Sequence, residues 1–540
     1  MIDMHHETVI RGGAIYDGSG AAPFVGDIAL RGDTIDAIGE VGRLAGAAEI
    51  DARGLAVAPG FINMLSWATE TLIADGRSQS DIRQGVTLEI FGEGTSLGPL
   101  NDDMKRHERE RQSEVIYDIT WTTLDEGLED LVRRGVSCNV ASFVGAATLR
   151  VHELGYADRP PTPDELERMR ALTRQAMQDG ALGVGSSLIY APACYADTHE
   201  MAALAEVAAE YGGMYISHIR NEGNQLLEAI DELIGIARNS GAPAEIWHFK
   251  ASGPANWHKM DAAIARVASA RSEALRITAD MYTYSASSTG LDATMPGWVQ
   301  EGGHRAWVER LRDPSVRQRL RHELSTASGG GENEFLNADK ILLVGFRNEG
   351  LRPLTGKTLA DVAKARGTSV EDTIVDLVIE DDSRVQCVFF TMSEENVRKV
   401  VGVPWVSFCS DSGSLAPEGI FLKSSTHPRA YGSFARLLAK YVRDEGVIPL
   451  EEAVRRLAAL PADNLGLERR GRLVVGNYAD VVVFDPATIQ DHATFERPHQ
   501  YATGVVHVFV NGEQVLRDGE HTGATPGRVV RGRGYTRGPR

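Results

Sequence analysis

The segment GGMYISHIRNEG, residues 212–223, sets the expectation for the fold. It follows a helix-like stretch and reads as a short apolar strand that ends in a histidine, His218. A single histidine at a strand end is more often a buried, hydrogen-bonded imidazole than a functional group. His218 therefore becomes a candidate functional residue only because the same pattern recurs elsewhere in the chain.

Four further apolar segments end in a histidine or a carboxylate: GVTLEIFGEGTSLGPL with Glu93, EIWHFKASG with His248, ITADMYTYSASSTG with Asp280, and VSFCSDSG with Asp411. Helix-like stretches such as TPDELERMRALTRQAMQDG alternate with these strands. Repeated β-then-α units favour an α/β parallel barrel over a doubly wound sheet, and barrel enzymes carry their chemistry at the carboxyl ends of the strands. The set of strand-end residues thus predicts an active site.

The two ends of the chain have a different pattern. The N-terminal segments TVIRGGAIYDGSG and GDIALRGDTIDAIG alternate apolar and polar residues and break at Gly and Asp. The C-terminal segment GVVHVFVNGEQVLRDGE contains an Asn-Gly hairpin signal. We expect residues 1–58 and 471–540 to build one small β-sandwich, and residues 59–470 to form a (β/α)8 barrel.

Composition excludes several classes of partner. The chain has 540 residues and a formal net charge of −19. Nucleic acid and anionic membranes need basic patches, so we expect neither as a partner. Four scattered cysteines without a CxxC pair, an N-terminus unlike a secretory signal and no apolar run of transmembrane length predict a cytoplasmic protein. The oligomeric state stays open, a homo-oligomer included.

Motifs spread over nearly the whole chain carry a family resemblance: APGFIN, QGVT, ISHIRNEG, HFKASG, YTYSASSTGL, SDSG, HPRAYGSFARLLAKYVR, GRLVVGNYADVVVFDP and NGEQVLRDGEHTGATPGRVVRG. With these motifs the sequence resembles the N-acyl-D-amino-acid deacylases, or D-aminoacylases, of the amidohydrolase superfamily. The resemblance implies a metal-dependent TIM-like barrel, a β-sandwich made of both termini, and zinc-dependent hydrolysis of the amide bond of an N-acyl-D-amino acid.

One motif departs from the family pattern. The family has His-x-His after PGFID, but the corresponding positions here are Leu65 and Trp67, and the preceding Asp is Asn63. Leucine and tryptophan cannot bind zinc. In the family this histidine pair serves chiefly a second, weaker metal position, so its loss implies a one-metal site.

The remaining residues supply a ligand set for one catalytic metal ion. The family has a cysteine ligand in a loop resembling GNCGFSLAP, and alignment back from Pro99, with one residue missing upstream, places Glu93 there. Glu93, His218 and His248 would be three protein ligands with a fourth position open to water, as catalytic zinc requires. We expect one Zn²⁺ per chain.

Two aspartates receive different roles. Asp411 is expected to take the proton of the zinc-activated water and return it to the leaving nitrogen. Alternatively, Asp411 is a structural residue of a turn formed by its Asp-Ser-Gly sequence. Asp280 is expected to orient its loop or a histidine.

A substrate of this kind, a small amide with a carboxylate, needs a cation and a hydrogen-bond donor. By resemblance, Lys250 and Tyr282 look like the carboxylate and amide contacts. Tyr190 in SSLIYAPACYADTHE also matches the family pattern, although a packed loop aromatic is the alternative reading.

Spacing adds two further substrate-binding candidates. Side chains alternate along a strand, so Arg220 should share the side of His218, as Lys250 shares that of His248. Arg429 in THPRAYG is a candidate without such support. Each of these cations could also be a surface charge or a member of a structural ion pair.

Residues 286–345 interrupt the barrel rhythm with polar helix signals and a Gly cluster. Two readings stay open for this insertion: a cover over the barrel mouth, or a surface or oligomer-contact elaboration.

Three functions also stay open for the protein. They are deacylation of acyl-D-amino acids, hydrolysis of another amide such as a dipeptide or a cyclic or xenobiotic amide, and a catalytically silent binding or assembly subunit.

Overall fold

The computed structural model describes residues 6–112, 114–326 and 337–536. Its strands, numbered in chain order, are β1 (His6–Ile15), β2 (Phe24–Arg31), β3 (Thr34–Gly39), β4 (Gly46–Asp51), β5 (Ala56–Pro59), β6 (Phe61–Asn63), β7 (Val86–Phe91), β8 (Asn139–Ser142), β9 (Val144–Gly145), β10 (Gly183–Ser187), β11 (Met214–His218), β12 (Ala244–Ile246), β13 (Ile277–Met281), β14 (Ser287–Gly290), β15 (Ile341–Gly345), β16 (Gln386–Phe389), β17 (Val406–Phe408), β18 (Val481–Phe484), β19 (Val505–Val510), β20 (Glu513–Arg517) and β21 (Glu520–His521).

The α-helices are α1 (Thr69–Ala74), α2 (Gln79–Ile82), α3 (Asp102–Arg111), α4 (Leu124–Arg134), α5 (Ala146–Leu154), α6 (Pro163–Gln178), α7 (Thr198–Glu210), α8 (Leu226–Ser240), α9 (Met260–Ser272), α10 (Gly303–Arg310), α11 (Pro314–Thr326), α12 (Leu359–Arg366), α13 (Val370–Asp381), α14 (Glu394–Val401), α15 (Arg429–Arg436), α16 (Leu450–Val454) and α17 (Leu460–Leu465). Short 3₁₀ turns and two π-helical stretches, Leu437–Asp444 and Arg455–Ala459, complete the helical structure.

Both chain ends build one β unit. Strand β18 pairs antiparallel with β5, with Val481 opposite Pro59, and so joins the C-terminal strands to the N-terminal ones. The hydrogen-bonded order is β21-β20-β19-β18-β5-β1-β2-β3, with β4 beside β1. Ile10 and Ile28 from one end share a buried core with Phe509 from the other. The expected joint β unit is confirmed, and its strands form one continuous nine-stranded sheet.

Eight parallel strands form the barrel: β6, β7, β8 with its continuation β9, β10, β11, β12, β13 and β17. Phe143, which separates β8 from β9, donates its backbone N–H to Phe91 O at 2.9 Å. The ring closes where Asp411 N donates to Leu65 O at 2.9 Å. The predicted (β/α)8 fold is confirmed.

The barrel strands are buried along their whole length because side chains fill the interior of the barrel and helices cover its outside. Every residue of β13, for example, is buried. Several of the surrounding helices begin at residues whose side chains accept hydrogen bonds from free backbone N–H groups. Thr162 accepts from the N–H of Glu165 before α6, and Asp197 accepts from that of Glu200 before α7.

The segment between β13 and β17 carries a unit of its own. Strands β14, β16 and β15 form an antiparallel sheet in that order, and Leu291 and Trp307 belong to a separate buried cluster. From the sequence we expect this insertion to end at residue 345. In the structure it continues to Phe389, because β16 pairs with both β14 and β15. Residues 327–336 of the expected insertion lie outside the described part.

Among the residues that the structure describes, no helix combines the length and the apolar character needed to cross a membrane. The four cysteines, Cys138, Cys194, Cys387 and Cys409, are all free thiols. Residues 1–5, which begin the segment judged unlike a secretory signal, lie outside the described part of the chain.

Candidate metal centre

Three of the strand-end residues converge on one point at the carboxyl face of the barrel. Glu93 Oε1 lies 2.9 Å from His218 Nδ1 and 3.2 Å from His248 Nε2. One ligand atom from each of the three residues lies within 4.8 Å of the others, and all three residues are buried. Two imidazoles and one carboxylate are a donor set that proteins use for catalytic zinc.

The turn that carries Glu93 needs the glycine on either side. Gly92 has φ +112° and Gly94 has φ +70°, conformations that favour glycine. A Cβ on Gly92 would lie 2.5 Å from Phe143 O, and one on Gly94 would lie 2.0 Å from Ser187 Oγ. The GEG sequence therefore lets the chain turn sharply after β7 and aims Glu93 at the histidines.

His248 is held by Asp280. The histidine lies two residues beyond the end of β12 and has φ +39°, a left-handed conformation that is uncommon outside glycine. Its backbone N–H donates to Asp280 Oδ1 at 2.7 Å. Asp280 thus orients a histidine from β13, which is the structural role expected for it from the sequence.

A second carboxylate, Glu222, lies behind both histidines. Glu222 Oε1 is 3.1 Å from His248 Nδ1 and 3.6 Å from His218 Nε2, so it faces the ring nitrogens that point away from Glu93. Ligand histidines usually direct their second nitrogen at such a partner, which fixes the ring and its tautomer. Sequence reasoning missed Glu222 as a functional residue, although it lies in the motif ISHIRNEG.

The two carboxylates nearest the histidines keep their negative charge although both are buried. Burial raises the pKa of the Glu93 carboxyl, but hydrogen bonds from His218 and His248 outweigh burial and hold that pKa below its ordinary value. Burial also raises the pKa of Glu222, and Lys250 and the two histidines lower it overall. Both carboxylates are therefore ionised at neutral pH, as metal ligands and their partners must be.

A further observation also indicates that the donor set fits a divalent metal ion. Glu222 Oε2 and His218 Nε2 are buried and have no hydrogen-bond partner of their own. A proton on His218 Nε2 would face Glu222 and leave Nδ1, the nitrogen nearest Glu93, as a ligand. The residues present therefore match what a three-ligand metal site needs.

Asp411 lies beside the triad and is held from two directions. Its Oδ2 is 2.6 Å from Arg429 Nη1, and its Oδ1 accepts from Trp67 Nε1 at 3.2 Å. The same indole N–H lies 3.0 Å from Glu93 Oε2. Burial raises the pKa of Asp411, and the charge of Arg429 opposes the rise. The structure thus brings Asp411 and Arg429 together, although Arg429 had the weakest support in the sequence.

The predicted substrate contacts Lys250, Tyr282 and Tyr190 all line the cavity above the triad. Lys250 Nζ donates to Glu222 Oε1 at 2.6 Å and lies 2.8 Å from His248 Nδ1. The Tyr282 ring lies under the Arg429 guanidinium, 4.6 Å from it.

Arg220 does not reach the site, and the expectation for it was wrong. Its guanidinium binds Glu232 through two nitrogens, at 2.9 and 2.8 Å, and donates to the carbonyls of Cys194 and Ala196. The alternation argument fails because β11 ends at His218, so Arg220 lies beyond the pleated backbone.

The cavity above the triad has a volume of about 1290 Å³, and residues of the insertion form part of its wall. One of them, Arg384, pairs with Asp292 at 2.9 Å, and its guanidinium lies 5.1 Å from the Tyr190 ring. The insertion therefore borders the barrel mouth. Arg384 is a further cation of the cavity, and sequence reasoning missed it because nothing in its local sequence marks it.

Comparisons with known proteins agree with this architecture. The model of the amidohydrolase family matches residues 424–516. D-aminoacylase of Alcaligenes xylosoxydans xylosoxydans is 30% identical to this chain, over 97% of both chains. A D-aminoacylase structure, described for one-metal activation and second-metal attenuation at its binuclear metal centre, covers 97% of this chain and 100% of its own at 29% identity and a TM-score of 0.80.

A third protein is similar over the same extent. N-acyl-D-glutamate deacylase from Bordetella bronchiseptica, solved with zinc and a phosphonate that mimics the tetrahedral intermediate, is 28% identical. It covers 98% of this chain and 100% of its own, with a TM-score of 0.80. The similarity therefore spans the barrel, the insertion and both chain ends.

Proposed function

This chain belongs to the N-acyl-D-amino-acid deacylases, the D-aminoacylases of the amidohydrolase superfamily, and on that premise we propose that it hydrolyses the amide bond of N-acyl-D-amino acids with a single bound zinc ion. The observation that carries the proposal is the convergence of Glu93 with His218 and His248. A catalytically silent subunit would have no need to keep this buried, charged set together.

The metal count follows from the chain's own side chains. Glu93, His218 and His248 would hold the ion, whereas Leu65 is a buried apolar residue and Trp67 offers only an N–H donor. When bound, zinc acts as a Lewis acid and lowers the pKa of water toward neutrality. The rest of the chemistry falls to the protein.

Asp411 is the proposed general base and acid. It is buried beside Glu93, and it can take a proton from the attacking water and return it to the leaving nitrogen. Arg429 and Trp67 fix its two oxygens, so the carboxylate is oriented before the substrate arrives. Glu222 faces the second ring nitrogen of both histidines and can hold His218 in the tautomer that a ligand needs.

Substrate binding is assigned to the cations and phenols of the cavity. We propose that Lys250 and Tyr282 contact the carboxylate and the amide of the substrate, with Tyr190 and Arg429 beside them. Lys250 already contacts Glu222 and His248, so a substrate carboxylate would have to share this ammonium group with them.

Arg384 is a further candidate for the substrate's carboxylate groups. Its guanidinium lines the same cavity from the insertion, and its pairing with Asp292 holds it in place. A planar guanidinium can bind a carboxylate through two hydrogen bonds. One related deacylase is named for glutamate and the other for D-amino acids in general, so the side chain of the substrate must be found by assay.

A hydrolysis screen tests the proposal. Purified protein, stripped of metal and then given zinc, is assayed on matched acyl-D and acyl-L amino acids with apolar, glutamate and aspartate side chains. We expect zinc-dependent release of the free D-amino acid and little release from the L series. Hydrolysis of dipeptides or cyclic amides alone would overturn the substrate assignment, and no zinc-dependent hydrolysis at all would overturn the proposal.

We further propose that the protein works in the cytoplasm, with a small amide as its partner and neither nucleic acid nor a membrane. Free thiols at all four cysteines and the net charge of −19 support this proposal. A homo-oligomer remains compatible with it. Fractionation of cells, with the protein detected by antibody, tests the location.

A further inference from the structure

Trp67 makes an unusual pair of contacts beside the proposed metal ion. Its single indole N–H lies 3.0 Å from Glu93 Oε2 and 3.2 Å from Asp411 Oδ1, so one neutral donor serves two carboxylates. The other oxygen of Glu93 faces the histidines, and the other oxygen of Asp411 faces Arg429. The indole thus joins the proposed metal ligand to the proposed base.

The backbone fixes the indole in this place. Trp67 N donates to Ser412 O at 3.0 Å, which ties the end of the β6 segment to the loop that carries Asp411. The preceding residue, Ser66, donates from its N to Ile90 O at 2.8 Å. Trp67 as a residue is 45% exposed, and it lines the cavity. A large side chain so exposed is not held there by core packing, and its polar contacts account for its position.

The neighbouring positions contribute no ligand that could compete with the indole. Leu65 is fully buried in a cluster with Met64 and Trp247. Asn63 Nδ2 donates to Asp81 Oδ1 at 3.0 Å and to Ser410 Oγ at 2.8 Å, so this amide is already engaged. The side of the cavity that a His-x-His pair would occupy is closed by an apolar side chain and an N–H donor.

We propose that Trp67 is a positioning residue that takes the place of a second metal ion. Its N–H holds the carboxylates of Glu93 and Asp411 together, a task for which two adjacent carboxylates otherwise need a cation. The site then binds one ion even in excess metal, and activity escapes attenuation by a second one. This inference rests on the metal site of the proposed function.

Metal binding tests the inference without any assay of hydrolysis. Metal-free wild-type protein is dialysed against increasing zinc, and bound zinc per chain is measured alongside tryptophan fluorescence. We expect saturation near one equivalent and a fluorescence change that saturates with it. Trp67→Phe keeps an aromatic ring without the N–H, and it should bind one equivalent but lack the fluorescence change.

Trp298→Phe is the matched control. The Trp298 indole N–H also donates to a carboxylate, Glu323 Oε2 at 2.9 Å, but within the insertion and outside the cavity wall. This variant should keep the wild-type fluorescence response to zinc. If Trp67→Phe responds as the wild type does, Trp67 does not contact the metal ligand and the inference falls.

Two further variants restore ligands. Leu65→His with Trp67→His should bind a second equivalent and lose activity in excess zinc, whereas wild-type activity should stay level. If the change at the buried Leu65 prevents folding, Trp67→His alone provides the same comparison, because it alters only a half-exposed position. This single variant should bind a second zinc ion, but more weakly than the first. Tight binding of two equivalents by the wild type overturns the inference.

Kinetics separate a positioning role from a structural one. Trp67→Phe should lower kcat by roughly 10–100-fold with KM little changed, the effect of losing one hydrogen bond to a charged group. Unchanged kcat overturns the positioning role.

If the wild type shows one equivalent and the Trp67 signal but hydrolyses no acyl amino acid, the proposed function fails and this inference stands. If the wild type binds two equivalents of zinc and still hydrolyses acyl amino acids, this inference fails and the proposed hydrolysis stands.

Discussion

The two sides of the cavity floor are built on different principles. On the side of β7, β11 and β12, Glu93 meets two histidines, and Glu222 supports both of them. On the side of β6 and β17, Leu65 and Trp67 lie next to Asp411, whose carboxylate contacts the Trp67 indole and the Arg429 guanidinium. The difference teaches that Glu93, His218 and His248 converge although the positions of the family's histidine pair hold Leu65 and Trp67.

The largest effect is expected on the metal side, at Glu93. Glu93→Ala removes the only carboxylate ligand of the triad, so bound metal and hydrolysis should be lost together. Glu93→Cys should keep metal, because thiolate is a good zinc ligand. Elemental analysis and a hydrolysis assay on both variants check this. Equal metal content and activity in Glu93→Ala and the wild type would move the metal away from Glu93.

The next effect is expected on the other side, at Asp411. Asp411→Asn keeps the shape and a hydrogen-bond acceptor but cannot take a proton, so kcat should fall by about 10²–10⁴-fold with metal retained. Burial raises the pKa of Asp411, and activity needs its ionised form, so the acidic limb of kcat/KM should disappear in the variant. Loss of metal instead would make Asp411 a ligand and would erase the contrast between the two sides.

Lys250→Met tests whether substrate binding belongs to the metal side. Losing a charge-assisted contact worth about 1.5–3 kcal/mol should raise KM for substrates that carry a carboxylate. A neutral amide analogue is the control and should be affected far less. An equal loss for both substrates would show that Lys250 acts through Glu222 and His248, its observed contacts.

Glu222→Gln sharpens the same comparison. The change keeps the shape but removes the charge that faces both histidines, and loss of such a partner typically weakens metal binding by about 10–100-fold. Competition with a zinc chelator measures the affinity. Glu232→Gln is the matched control, since Glu232 pairs with Arg220 outside the cavity wall. Unchanged affinity in Glu222→Gln would assign Glu222 to the ion pair with Lys250 alone.

The smallest effect on catalysis is expected at Arg220. Arg220→Gln breaks hydrogen bonds to Glu232 and to two backbone carbonyls, so the free energy of unfolding should fall by about 1–3 kcal/mol. Because the guanidinium lies outside the cavity wall, kcat/KM should not change. Chemical denaturation and steady-state kinetics on the same preparation decide the point, and a rise in KM would return Arg220 to the substrate site.

The fold, and the convergence of strand-end residues at one face of the barrel, could be predicted because both depend on local pattern. Apolar strands that end in His218 or His248 are visible in one dimension, and a parallel barrel brings such ends together. Glu222 and Trp67 could not be assigned in this way. Glu222 follows β11 in a loop without periodicity, and the contacts of Trp67 join residues 26 and 344 positions away along the chain.

Two expectations failed or fell short for a related reason. The alternation rule was applied to Arg220 beyond the end of β11, where the backbone is no longer pleated. The insertion was given an end at residue 345, but its sheet is completed by Gln386–Phe389, a strand that follows two helices. Where a strand stops and which distant strand completes a sheet are set by tertiary packing, and a sequence pattern does not contain that information.

Anomalous X-ray diffraction at the zinc edge, on crystals grown in excess zinc, tests the central claim most directly. We predict one anomalous peak in the cavity, in contact with Glu93, His218 and His248, and an indole of Trp67 still hydrogen-bonded to Asp411. A second peak between Glu93 and Asp411, with the indole displaced, or a single peak without contact to the two histidines, would contradict it.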